Sequence, residues 1–172
     1  MDLTQLIPRS PKNKLAGIVM MPRMLDKARA YKSKSLGEYI YPCPLDQIIL
    51  DFLGIDHKEL ASQAQKKTDK EIELWVNKKL SNKSTNDKEN INKKILERKP
   101  NTKESINRFN LIRDKINPSI KNLTTWVELI ELLERQITPK ILYWPRLKKK
   151  KYLRKKRNLQ KKRRVVSLNY YI

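Results

Sequence analysis

Apolar side chains recur at intervals of three and four residues along most of the chain, the pattern of amphipathic helices. Ser10 and Pro11 resemble an N-cap followed by a first-turn proline, and apolar residues at helical spacing follow them. Pro22 interrupts this run because it has no N–H to donate to the preceding turn. We therefore predict a helix over residues 11–21, a break near Met21–Pro22, and a second helix that ends at about Tyr31.

The next two predicted helices are marked by their ends. An apolar stripe begins at Pro44, and Gly54 stands where the glycine after a helix belongs. Asp56, with Glu59 three positions later, then has the spacing of a capping box and predicts a short helix.

Two further capping boxes predict helix starts in the second half of the chain. Thr68 with Glu71 and Thr125 with Glu128 have the required spacing, and an apolar stripe follows each pair. Pro139 should end the helix that follows Thr125.

The segment between these boxes is less regular. Residues 81–90 contain no apolar side chain and predict a linker or mobile loop. Weaker helical patterns follow at about 87–98 and 102–116, and Pro118 should end the second.

These patterns predict an all-α fold, a single compact bundle of five or six short helices with a basic C-terminal extension. Tyr39–Tyr41 has the composition of an extended segment, but no regular strand alternation appears elsewhere. We assign residues 1–139 to the helical domain and residues 140–172 to a flexible tail. The predicted core comprises Leu25, Ile48, Ile49, Phe52, Trp75, Val76, Trp126, Leu129 and Leu133.

The composition excludes several classes of protein. The 3 glycines are too few for phosphate-cradling loops, and neither common nucleotide-binding glycine motif is present. The single cysteine cannot form an internal disulfide. No apolar run approaches the length of a membrane span, and the N-terminal residues lack the pattern of a signal peptide. We expect a cytoplasmic protein.

The stretch Gly37–Asp46 is the strongest candidate for chemistry. Cys43 precedes Pro44 and is therefore the predicted N-cap of a helix, where unpaired N–H groups and the helix dipole favour a thiolate of lowered pKa. The alternative is a structural, buried cysteine, and burial is the commoner state of this residue type. His57 lies beyond the far end of the same helix, which is a poor position for a catalytic base.

Charged residues on the preceding helix suggest an anion site beside this stretch. Arg23 and Lys27 share one helix face and, with Tyr41 and Cys43, would form a pocket for a phosphate or carboxylate ligand. Asp26 and Arg29 form an ion pair three residues apart, and they belong to the same set of candidate ligand-binding residues. The alternative is a salt-bridged helix face, or an Asp26 carboxylate that accepts hydrogen bonds from backbone N–H groups of the turn at Tyr41–Cys43.

Other site classes lack support in the sequence. One histidine, one cysteine and scattered carboxylates give no spacing of a known metal site, and no catalytic triad is recognisable. We predict no metal and no cofactor, and the sequence leaves open whether the protein is an enzyme.

Several motifs are similar to those of one family. Leu25–Ala30, Gly37–Asp46 and Phe52–Ile55 resemble small bacterial proteins catalogued as a domain of unknown function (DUF5069). Pro8–Pro11 resembles the family's opening, and Thr124–Leu129 its closing helix. The resemblance covers about residues 3–135. It implies a compact, mainly helical domain and transfers no catalytic or binding residue.

The segment beyond this resemblance carries most of the net charge. Of the formal charge of +22, +14 lies in residues 140–172, which contain no acid, and +8 in the rest. Such a segment, interleaved with aromatic residues, predicts nonspecific binding of RNA or DNA phosphates. The candidate residues are Lys148, Lys149, Lys150, Lys151, Arg154, Lys155, Lys156, Arg157, Lys161, Lys162, Arg163 and Arg164. The alternatives are incidental sequence from A-rich coding or a shifted reading frame, and a surface anchor on acidic membranes with only a thin apolar face.

Overall fold

The computed structural model describes residues 1–135, which form seven helices and one two-stranded hairpin. The all-α fold class is therefore confirmed, with one helix more than the upper expectation and a hairpin that was not expected. The elements are β1 (Lys14–Leu15), β2 (Ile18–Val19), α1 (Met21–Lys32), α2 (Pro44–Leu53), α3 (His57–Lys66), α4 (Asp69–Lys79), α5 (Thr85–Leu96), α6 (Lys103–Ile116) and α7 (Trp126–Arg135).

The helix predicted over residues 11–21 is wrong, because this segment is a turn followed by the antiparallel hairpin. Leu15 pairs with Ile18 across a connection formed by Ala16 and Gly17. These two residues have φ angles of 53° and 81°, which lie in the left-handed region and reverse the chain. The apolar residues that suggested a helix are buried because the hairpin packs against α1 and α5.

The predicted helix start near Met21–Pro22 is confirmed, since α1 begins at Met21 with Pro22 in its first turn, although no helix precedes it. Every residue from Met21 to Ala28 is buried. Helix α1 therefore lies at the centre of the fold, where it contacts α2, α3 and the hairpin.

Three predicted helix boundaries are also confirmed. Gly54 ends α2 with a φ of 63°, a conformation that glycine adopts without strain. Thr68 and Glu71 exchange hydrogen bonds at the start of α4. Thr125 and Glu128 do the same at the start of α7.

The polar segment 81–90 is not a loop throughout, because α5 begins within it at Thr85. Ser84 caps this helix and exchanges hydrogen bonds with Asp87. Asn92 then attaches α5 to the hairpin, donating to the Gly17 carbonyl at 2.8 Å and accepting from the Val19 N–H at 2.9 Å.

Most of the predicted core is buried. The buried members are Leu25, Ile48, Ile49, Val76, Trp126 and Leu129, while Phe52, Trp75 and Leu133 are partly buried against the same cluster. At the contact between α6 and α7, the Phe109 and Trp126 rings meet edge to face with centroids 5.2 Å apart. None of the helices within residues 1–135 combines the length and the apolar character needed to cross a bilayer.

Candidate functional site

Three charged side chains on α1 lie inside the protein. Arg23, Asp26 and Lys27 are only 4%, 3% and 3% exposed. Their spacing places them on neighbouring positions of the helix surface, and α1 is covered along that whole stretch. Buried charges must be paired or hydrogen-bonded to be tolerated, and each of the three has a partner in a different part of the chain.

Lys27 pairs with the start of α2. Its Nζ lies 2.6 Å from Oδ2 of Asp46 and 3.2 Å from Sγ of Cys43. The same Asp46 oxygen accepts a hydrogen bond from the Cys43 N–H at 2.9 Å. Burial acts to lower the pKa of Lys27, but the attraction of the Asp46 carboxylate opposes it, and on balance the pKa is raised. Lys27 is therefore a charged group whose partner neutralises it.

Cys43 is the N-cap of α2, as its position before Pro44 predicted, but its thiol is only 3% exposed. Burial and the neighbouring Asp46 raise the pKa of the thiol, and the attraction of Lys27 is too small to reverse this. The direction is the opposite of the one expected from the helix N-terminus alone. The thiol is thus protonated at neutral pH.

Tyr41 belongs to the same region but faces α3. Its hydroxyl donates to the His57 carbonyl at 2.7 Å, and its ring packs 5.5 Å from the Tyr31 ring and 6.0 Å from the His57 ring. Burial raises the pKa of Tyr41. The side chain therefore anchors the turn before α2 to the start of α3.

Arg23 pairs with the last turn of α7. Its two terminal nitrogens lie 2.9 Å and 2.7 Å from the carboxylate oxygens of Glu134, in a bidentate contact. The guanidinium also donates to the Arg9 carbonyl and stacks 5.5 Å from the centre of the Tyr39 ring. The neighbouring Tyr39 hydroxyl acts to lower the pKa of the same Glu134 carboxylate. Burial raises the pKa of Glu134 despite the opposing charge of Arg23.

Asp26 holds the N-terminal segment and not the Tyr41–Cys43 turn. Its carboxylate accepts from the backbone N–H of Arg9 at 2.9 Å and from the guanidinium of the same residue at 2.9 Å and 2.8 Å. The predicted hydrogen bond to the turn is made by Asp46 instead. The predicted ion pair between Asp26 and Arg29 does not form, because each residue pairs with a more distant part of the chain. Arg29 is half-buried and lies 2.7 Å from Asp69.

The structure therefore brings Arg23, Lys27 and Cys43 together in the interior, but as members of paired networks. Sequence reasoning did not identify two of their partners as site residues, Asp46 and Glu134. Asp46 stands three residues after the N-cap, which is the acidic position of a capping box and was a usable signal. Glu134 lies 111 residues from Arg23, and no local pattern connects the two.

Two features of this region are not accounted for by the paired networks. The second oxygen of Asp46, Oδ1, is buried and accepts no hydrogen bond from the residues described. On the outer side, Cys43 borders an open groove between α2 and α5, to which Lys94 and Arg98 contribute. Within residues 1–135, no three His, Cys, Asp or Glu side chains are grouped closely enough to hold a metal ion.

The predicted nucleic-acid-binding residues, Lys148 to Arg164, lie outside the described part of the chain. So does the helix end predicted at Pro139. Both stay predictions.

Comparison with known proteins identifies the family. The sequence model described as "Domain of unknown function (DUF5069)" matches residues 5–136, which is more than half of the chain. The protein belongs to this family, as the motifs around Cys43 indicated. A search of curated proteins finds no match.

Proposed function

We propose that this protein binds RNA or DNA nonspecifically through the basic segment of residues 140–172, with the helical domain as its folded base. The observation that carries the proposal is the charge distribution. The segment has a net charge of +14 and no acid, whereas the remainder has +8. Phosphate backbones bind such segments because each neutralised phosphate releases counterions. We place this activity in the cytoplasm.

The ion pairs of the helical domain support this assignment. Arg23 and Lys27 are buried and each faces a carboxylate within 2.7 Å. Their positive charge is therefore used inside the domain and contributes little to attracting a polyanion. The charge that remains for an outside partner is concentrated in the basic segment.

The second candidate function, an enzyme or a binder of small anions around Tyr41, Cys43, Arg23 and Lys27, has weaker support. All four side chains are buried, and both cations already have anionic partners. Burial also raises the pKa of the thiol, which reduces its reactivity as a nucleophile.

The test compares the full-length chain with a form that ends at residue 139, using a random-sequence oligonucleotide at two salt concentrations. We expect the full-length chain to bind with a steep salt dependence and little sequence preference. The shortened chain should lose most of this affinity while its thermal unfolding stays cooperative. A matched variant with Lys148–Lys151 replaced by glutamine should show an intermediate salt dependence, since four cations are lost.

Equal binding by both chain lengths would contradict the proposal and move the site onto the helical domain. An absence of binding by either would leave the basic segment as incidental sequence.

A further inference from the structure

Trp75 on α4 presents an aromatic surface that the core does not fully cover. One part of the indole packs against the hydrophobic core, and the side chain as a whole is half-buried. Two ammonium groups flank the ring. The Nζ atoms of Lys67 and Lys79 lie 5.9 Å and 5.6 Å from its centroid. We call these three side chains the Trp75 surface.

The protein holds this surface in place. Lys67 is the C-terminal cap residue of α3. Lys79 lies one turn beyond Trp75 on α4, and its Nζ is 3.1 Å from the Glu59 carboxylate on α3. The ring and the two cations are therefore positioned by two helices that contact each other.

A second aromatic ring with a lysine above it lies near the Trp75 surface in sequence. In the turn after α4, the Nζ of Lys83 lies 5.3 Å from the centre of the partly buried Phe52 ring. Residues 74–86 contain three lysines and no acid. Glu59 offsets the charge of Lys79, while the charges of Lys67 and Lys83 remain to attract a negatively charged partner.

An aromatic ring that is partly exposed beside ammonium groups is the combination with which proteins bind single-stranded nucleic acid. A base stacks on the ring, and the cations contact the adjacent phosphates. A lysine above a half-buried ring at the protein surface is held more weakly than a stacked base. A base can therefore displace an ammonium group from the ring and leave it free to contact a phosphate.

We infer that the Trp75 surface is a second nucleic-acid contact, at which an unpaired base stacks on the indole between Lys67 and Lys79. This inference rests on the proposed function and extends it, because it names single strands as the preferred form. The basic segment contacts phosphates in both single strands and duplexes, whereas a paired base cannot reach the indole.

The test uses the full-length chain, a short oligo(dT), an abasic deoxyribose-phosphate strand of equal length, and a duplex. The variant is Trp75→Leu, which keeps an apolar side chain against the core but removes the ring. We expect it to bind oligo(dT) roughly tenfold more weakly, the contribution of one stacked base. Its affinity for the abasic strand and for the duplex should equal that of the unchanged protein.

Tyr31→Leu is the matched control. Tyr31 is also an aromatic residue at the surface, 36% exposed, but its ring packs against the rings of Tyr41 and His57. The control should bind oligo(dT) as the unchanged protein does.

The outcomes separate the two proposals. If Trp75→Leu prefers oligo(dT) over the abasic strand as strongly as the unchanged protein does, the inference is wrong and the proposed function stands. If the unchanged protein shows no such preference, the inference is also wrong. If it binds none of the three probes, the proposed function fails. Should Trp75→Leu not fold, photocross-linking of bromodeoxyuridine strands to the unchanged protein replaces it. The cross-linked peptide must contain Trp75, and a cross-link confined to residues 140–172 would overturn the inference.

Discussion

Replacing Lys27 by methionine should be among the most destabilising single substitutions in this protein. The ammonium group is buried, 2.6 Å from Asp46, and the Asp46 side chain is 0% exposed. Methionine fills most of the space of the lysine stem but cannot neutralise the carboxylate. Asp46 would then retain one hydrogen bond, from the Cys43 N–H, and an uncompensated buried charge.

The expected loss is about 3–5 kcal/mol in the free energy of unfolding, the usual cost of removing one partner from a buried pair. At about 3 °C per kcal/mol for a chain of this size, the midpoint of thermal unfolding should fall by on the order of 10 °C. Urea unfolding is the appropriate assay, because guanidinium chloride would add salt. The slope of the unfolding free energy against urea should not change.

The double variant Lys27→Met with Asp46→Asn tests the cause of this loss. Asparagine keeps an oxygen that can accept from the Cys43 N–H but carries no charge. The double variant should therefore be more stable than Lys27→Met alone, with a coupling energy of about 2 kcal/mol. Lys79→Met is the matched control, since its ion pair with Glu59 spans 3.1 Å but is 36% and 41% exposed. That pair should contribute less than about 1 kcal/mol. Equal losses in Lys27→Met and Lys79→Met would refute the reasoning.

Two further predictions follow from burial. Because burial raises the pKa of the Cys43 thiol above its usual 9.0, the unfolded chain loses this proton at a lower pH than the folded chain does. The corresponding stability is fully present below pH 9.0 and declines as the pH rises towards 10, by up to about 1.4 kcal/mol per pH unit. Urea titrations should show a steeper decline in the unchanged protein than in Cys43→Ser, in which only other buried groups such as Tyr41 still contribute. The variant should otherwise be stable because serine caps helices well. Trp126→Ala should cost about 3–5 kcal/mol because the ring is buried against Phe109, whereas Phe52→Ala should cost roughly half as much because that ring is only partly buried. Equal losses of unfolding free energy in the two variants, measured by urea unfolding, would contradict this dependence on burial.

The helix boundaries were predictable because the capping residues are local signals. Thr68 with Glu71 and Thr125 with Glu128 carry their partner three positions away, and the structure forms both sets of hydrogen bonds. The hairpin was not predictable from the same rules. Its buried residues happen to match helical spacing, and one of the two left-handed positions is occupied by Ala16, which gives no turn signal.

The sequence predicted which residues of α1 lie close together at the candidate site, but not which segments cover them. Arg23 and Lys27 share a helix face, as expected, but their exposure depends on what covers that face. The covering carboxylates, Glu134 and Asp46, come from α7 and α2. Helical periodicity places side chains around one helix, and it contains no information about which distant segment packs there.

The three buried charges of α1 connect this helix to three separate parts of the chain. Arg23 meets α7, Lys27 meets α2, and Asp26 meets the segment that contains Arg9. The apolar residues of α1, such as Met24, can pack against different apolar neighbours of similar volume at a small cost in stability. A shift of α1 by one residue would instead leave three buried charges without partners, and each unpaired charge costs several kcal/mol. We infer that these ion pairs determine how α1 docks. The pair between Arg23 and Glu134 also holds the last turn of α7 against α1.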